Sequence, residues 1–150
     1  MQILKEGRNY SIGTSCGFSK IPQEFSSLPF SKIISSILGP KKEVSIVFIQ
    51  ELKMKELNKK YRRINKSTDI LSFESDDGGE ILFSINDIRK KASFYGLQTT
   101  NYLSYLLIHG LLHLKGMAHS SKMKSKEKEF CKRFQINFPF RNNEKTDNSR

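Results

Sequence analysis

The segment 103–114, Leu-Ser-Tyr-Leu-Leu-Ile-His-Gly-Leu-Leu-His-Leu, is so apolar that a folded chain must bury it, yet it carries His109 and His113. A helix over these residues sets the two imidazoles one turn apart on the same face. Leu103, Leu106, Leu107, Gly110 and Leu114 then form the stripe that packs on a core, and Thr99 or Thr100 caps the start. Gly116 can take the positive φ that ends such a helix, and the turn brings His119 back toward the other two. All three histidines of the chain fall within 109–119. Three neutral imidazole nitrogens can hold a zinc ion at roughly 2.0–2.1 Å and leave a fourth position open, which is what chemistry at a metal requires.

Two other arrangements compete with an open site. The first is a closed structural site with a fourth protein ligand, for which Cys16 and Cys131 are the candidates, although neither belongs to a C-x2-C pair. The second is a set of packed core histidines with no metal role. The spacing H-x3-H-x2-G-x2-H also follows the ligand pattern of the metzincin peptidases. The glutamate that follows the first ligand there is Gly110 here, so the carboxylate a peptidase uses as general base is absent.

At 150 residues the chain suits one domain, taken as a single domain over 1–138 that includes the three histidines, with a polar tail over 139–150. Lys and Arg number 26 against 15 Asp and Glu, a formal charge of +11, which favours RNA, DNA or another polyanion as partner. The lysine, isoleucine, serine and asparagine bias is also what an AT-rich genome produces, so charge alone does not establish that partner. Residues 1–15 contain no hydrophobic leader run, and no stretch reaches membrane-spanning length. A cytoplasmic protein with free thiols and no membrane partner is expected.

Along the chain, 1–12 reads as an edge strand, 14–20 as a loop, and 22–38 as an amphipathic helix interrupted by Pro29 and stopped by Gly39-Pro40. Val44, Ile46, Val47, Phe48 and Ile49 make 43–50 a central strand. A helix over 51–63, a strand over 69–73, a turn at 75–79 and a returning strand over 80–84 follow. A short basic helix over 86–94 precedes the histidine helix, and a charged helix over 120–134 comes after it. Residues 137–150 are expected to fray. The fold class is α/β in the α+β sense, a small mixed sheet flanked by helices, one of which carries the H-x3-H pair.

The stretch His109-Gly-Leu-Leu-His113-Leu-x-Gly116-x-x-His119 resembles the signature of the bacterial YbeY family of metal-dependent endoribonucleases. Leu57-Asn58-Lys59-Lys60-Tyr61-Arg62 and Thr68-Asp69-Ile70-Leu71-Ser72-Phe73 are similar to that family's L-N-x-x-Y-R and T-D-V-L-S-F segments, and Gly79-Glu80-Ile81 sits where a G-D-I strand is usual. The resemblance covers about 43–119. It implies a small mixed sheet with flanking helices and one zinc or similar ion held by His109, His113 and His119. It further implies a catalytic or RNA-contacting Arg62, with His109 counted among the catalytic residues. The implied role is single-strand-specific cleavage in ribosomal RNA maturation, at the small-subunit 3′ end, and in ribosome quality control, with the ribosome or its proteins as partners. Ala118 replaces the family's usual Asp before the third histidine, and Glu80 its usual Asp in the strand.

A tri-histidine ion keeps its +2 charge and draws the pKa of bound water toward about 7, so either that water or a ribose 2′-hydroxyl can serve as nucleophile. Arg62 is suited to the developing phosphate charge, because a guanidinium matches phosphate oxygens bidentately. No carboxylate is placed by spacing as a general base; Asp69, Glu74 and Glu80 are candidates. Lys122, Lys124, Lys126, Lys128 and Lys132 offer either an RNA groove or a solvated helix face, and Tyr61, Phe73 and Tyr95 either stacking surfaces or core. A metal-stabilised ribosome-assembly or RNA-binding factor with little nuclease activity is the alternative from another class. Nickel, copper and iron suit the same ligands.

Overall fold

A continuous β-branched and aromatic run is the pattern of a strand buried on both faces. In the computed structural model, which describes residues 2–15, 21 and 23–140, that run is the middle of a five-stranded sheet. The elements are β1 (Gln2–Glu6), β2 (Tyr10–Thr14), α1 (Gln23–Ser26), α2 (Phe30–Leu38), β3 (Glu43–Ile49), α3 (Glu51–Arg62), β4 (Ile70–Ser75), β5 (Gly78–Ser84), α4 (Ile85–Tyr95), α5 (Thr99–Leu114) and α6 (Ser121–Arg133). The sheet order is β1-β2-β3-β5-β4. β2, β3 and β5 run parallel, and the outer strands β1 and β4 run antiparallel to their neighbours.

The period of two in a strand sorts the side chains into two cores. Val44, Ile46 and Phe48 of β3, with Ile81 and Phe83 of β5 and Ile70 of β4, join the main core with α2, α5 and α6. Val47, Ile49, Leu71 and Leu82 face the other way, into a smaller cluster closed by Met54 of α3, with Leu57 and Phe73 packed against it. α3 therefore lies on one face of the sheet and α5 on the other. Strand β4, at the sheet's edge, lies between the two, so residues from both helices can meet around it.

α5 departs from the expected single stripe. Every residue from Tyr102 to Leu112 is buried, because α1, α2, α4, α6 and the sheet all pack on this helix. Neither Thr99 nor Thr100 caps it. The N-cap is Gln98, whose carbonyl accepts from Tyr102 N at 3.0 Å without a side-chain cap. The first twelve residues are not one strand: the turn at Gly7, whose N–H bonds Tyr10 O at 2.9 Å, divides the stretch into β1 and the interior strand β2. The expected helix over 22–38 is two helices, with Pro29 as N-cap of the second. The segment from Asn137, expected to fray, is held through Pro139: Asn101 and Asn137 exchange hydrogen bonds at 2.8 and 3.0 Å, and Phe138 packs edge-on to Tyr105. Cys16, Pro22 and the tail 141–150 lie outside the described residues.

Candidate metal centre and cleft

The last two turns of α5 project His109 and His113 from one face. Lys115 ends the helix and Gly116 follows at φ +97°, its N–H bonded to His113 O at 2.9 Å, so that the chain doubles back and delivers His119. The three Nε2 atoms converge: His113 Nε2 lies 3.1 Å from that of His109 and 2.9 Å from that of His119. His109 is buried, His113 half-buried and His119 exposed, so the cluster opens outward.

The opposite ring nitrogens decide what those Nε2 atoms carry. His113 Nδ1 lies 2.9 Å from Met117 O, a pure acceptor, so the proton sits on Nδ1. His109 Nδ1 faces both carboxylate oxygens of buried Glu127 at 3.4 Å, which likewise assigns its proton to Nδ1. Both Nε2 atoms then present lone pairs to each other at 3.1 Å, an arrangement that a cation between them relieves. The donor set therefore fits a metal ion, and among the described residues the cluster has three members, all histidine. Burial first, then His109 and further His119, outweigh the opposing Met117 carbonyl and Glu127 and lower His113 from 6.5 to about 4. It stays neutral, as a ligand must.

Cys131 does not join the cluster. It is buried on α6 and its thiol is pushed up to about 12, by burial and by the charge of Glu127. Cys16 lies outside the described residues, so the closed site has no support from Cys131 and no test from Cys16.

Across β4 the structure brings Arg62 to the same place. A cleft of about 580 Å³ is lined by Tyr61 and Arg62 from α3, by the strand residues Ile70, Leu71, Ser72, Phe73 and Glu74, and by His109, His113 and His119 with the turn between them. Arg62 is held there by its neighbours. Leu57 packs into the smaller core, and buried Asn58 donates from Nδ2 to Lys66 O at 2.8 Å, pinning the loop that leads into β4. Tyr61 meets Phe73 edge-on at 5.1 Å.

Of the candidate acids, Glu74 lines the cleft, whereas Glu80 does not. Asp69 is a core residue that accepts from Tyr102 Oη at 2.6 Å. Half-buried Tyr95 stacks on Tyr102 of the core. The five α6 lysines are exposed but do not line the cleft, and Lys126 and Lys128 already engage Glu129 and Phe138. Glu127, which the sequence did not single out, is buried behind His109 and accepts a hydrogen bond from Tyr105 Oη at 3.1 Å. Its signal was its place in the stripe Met123, Glu127, Phe130, Cys131, where an acid interrupts an otherwise apolar face.

The sequence profile described as Endoribonuclease YbeY matches residues 19–135. The chain belongs to the YbeY endoribonuclease family. Among curated relatives, the Endoribonuclease YbeY of Campylobacter jejuni subsp. jejuni is 35% identical over 116 residues, covering 71% of this chain and 86% of that one. That of Wolinella succinogenes is 36% identical over 109 residues, covering 67% and 77%. The solution structure of a Thermotoga maritima protein superposes with a TM-score of 0.59 at 25% identity, covering 84% of this chain and 91% of that one. In this YbeY chain Ala118 supplies no carboxylate before the third histidine, and the ring orientation seen comes from Met117 O and Glu127. As a YbeY protein it is a hydrolase of the nuclease class, with a three-histidine cluster able to hold a metal ion. Among the described residues, no helix is long and apolar enough to cross a membrane.

Proposed function

We propose that this chain is a zinc-dependent, single-strand-specific endoribonuclease. Its proposed work is ribosomal RNA maturation, at the small-subunit 3′ end, and ribosome quality control in the cytoplasm, beside the ribosome or its proteins. The observation that carries the nuclease part is the convergence of three Nε2 atoms in the same cleft as Arg62. The ribosomal part is supported by the family resemblance and by the charge of +11.

His109, His113 and His119 would hold the ion through Nε2. When bound, it supplies positive charge and Lewis acidity next to a phosphodiester. Met117 O and Glu127 keep the protons of His113 and His109 on Nδ1, which leaves both ligand nitrogens free to coordinate. Arg62 neutralises the charge that builds on the non-bridging phosphate oxygens. Tyr61, exposed and braced by Phe73, offers a ring to a neighbouring base.

The test is metal content and RNA cleavage by the wild type, His113→Ala and Arg62→Ala. The wild type is expected to carry about one equivalent of zinc, as a tri-histidine site does, and His113→Ala to lose it. Arg62→Ala keeps its metal and RNA affinity but cleaves about 100-fold more slowly, as when one charge-stabilising donor is lost. A wild type that binds RNA and metal yet does not cleave is an assembly factor instead, and hydrolysis of peptides in place of RNA makes it a peptidase.

A further inference from the structure

β4 ends the sheet and is paired with β5 on one side alone. In an antiparallel pair, successive residues alternate between those whose N–H and C=O point at the partner and those whose groups point away. Ser84 N donates to Asp69 O at 3.1 Å, which makes Asp69 an inward position. Counting by twos along the register, Leu71 opposite Leu82, Phe73 opposite Glu80 and Ser75 opposite Gly78 are inward too. The backbone N–H and C=O of Ile70, Ser72 and Glu74 therefore point out of the sheet, and among the described residues no main-chain group bonds them.

An unpaired strand edge is normally blunted by charge, proline or a covering segment. This one instead lines the cleft. Ile70, Ser72 and Glu74 lie on its wall, with the histidine cluster contributed by α5 and with Tyr61 and Arg62 contributed by α3.

We infer that the outer edge of β4 is the binding edge for one extended RNA strand. The N–H groups of Ser72 and Glu74 donate to phosphate oxygens and the carbonyls of Ile70 and Ser72 accept from ribose 2′-hydroxyls. This deepens the endoribonuclease reading and rests on it. Outward positions recur every ~6.7 Å along a strand, a repeat close to that of successive phosphates in an extended single strand. Charge separates RNA from a peptide as occupant. Arg62 lines the cleft, Lys59, Lys60, Arg63 and Lys66 are exposed around the end of α3, and Lys115 is exposed at the end of α5. Glu74, the one carboxylate on the lining, has Oε2 3.6 Å from where a Cβ on Gly116 would lie. A single row of donors fits one backbone rather than two, which accounts for a preference for unpaired RNA.

Removing the outward N–H of Ser72 tests this. Proline is tolerated in an edge strand where its missing N–H faces outward, so Ser72→Pro leaves the ladder to β5 whole. An amide-to-ester replacement at Ser72 removes the same N–H without the ring, should the proline variant fail to fold. Zinc content and thermal unfolding report the fold, and stopped-flow anisotropy with a labelled single-stranded RNA reads binding before cleavage. Affinity about tenfold weaker is expected, as for loss of one hydrogen bond to a charged group, with the loss in turnover falling on KM. Folded, zinc-loaded variants that bind RNA as tightly as the wild type overturn the binding edge and leave the nuclease reading intact. A wild type that does not bind single-stranded RNA overturns both; one that binds but does not cleave overturns the nuclease reading alone, because the affinity comparison still decides the edge.

Discussion

Glu127 is 5% exposed and sits between the Tyr105 hydroxyl and the His109 ring, a place no surface carboxylate occupies. A carboxylate behind a ligating imidazole fixes its tautomer and raises its basicity. Glu127→Ala is expected to weaken zinc binding by about 10- to 100-fold, while Glu129→Ala on the exposed face of α6 leaves it unchanged. A competitive chelator titration measures both, and equal affinities for the two variants would remove Glu127 from the site. At this scale the candidate ligands were legible and the carboxylate behind them was not. Three histidines within one short segment declare themselves by residue type and spacing. Glu127 lies eight residues beyond His119, and its partnership with His109 exists only once α6 has packed on α5. The same packing isolates Cys131, a plausible ligand by chemistry alone.

Helix α5 is the element on which fold and site depend together, and Gly110 is one point where it presses on the sheet. A Cβ there would stand 2.9 Å from Ile70 Cδ1 and 3.1 Å from both Ile81 Cδ1 and Ser72 Oγ. Alanine would improve helix propensity by about 1 kcal/mol, but overpacking a core costs about 1–3 kcal/mol. Ile70 and Ile81 are themselves buried and have little room to give way. Gly110→Ala is therefore expected to lose ~1 kcal/mol, a Tm lower by about 2–4 °C. Calorimetry showing a higher Tm would mean that the two isoleucines repack freely. This contact also explains why a glutamate following the first histidine would not fit here. At the other end of the helix–sheet contact, Gly79 at φ +145° receives Leu114, since a Cβ there would come within 2.6 Å of Leu114 Cδ2 and 2.4 Å of Phe73 O. Strands β3, β4 and β5 were readable because each carries β-branched and aromatic residues in a short run and a sharp turn separates the last two. The division of 1–12 into two strands was not, since nothing local distinguishes a hairpin turn at Gly7 from a passing glycine.

For the molecule as a whole, stability and charge both depend on the solution. His113 is held to about 4 in the folded protein against 6.5 when free, so between those values the unfolded chain takes up a proton that the folded one refuses. Metal-free protein is thus expected to lose stability as pH falls from 6.5 to about 4, with no further loss from this group below that. Denaturant titrations of chelated protein across the range check it, and a flat profile would show that His113 is not held neutral. The cluster is therefore prepared for metal before metal arrives. With a charge of +11, affinity for single-stranded RNA should fall steeply with added salt, whereas zinc content should not. Residue type, spacing and apolar periodicity are properties of short stretches of chain, and they alone determined the histidine cluster as the candidate ligand set, the basic character and most strands and helices. Placing Arg62 opposite those histidines, burying Glu127 behind His109 and leaving the edge of β4 open within the cleft required α3 and α5 to pack on opposite faces of one sheet. Those contacts join residues tens of positions apart, and only the closing of the core brings them together.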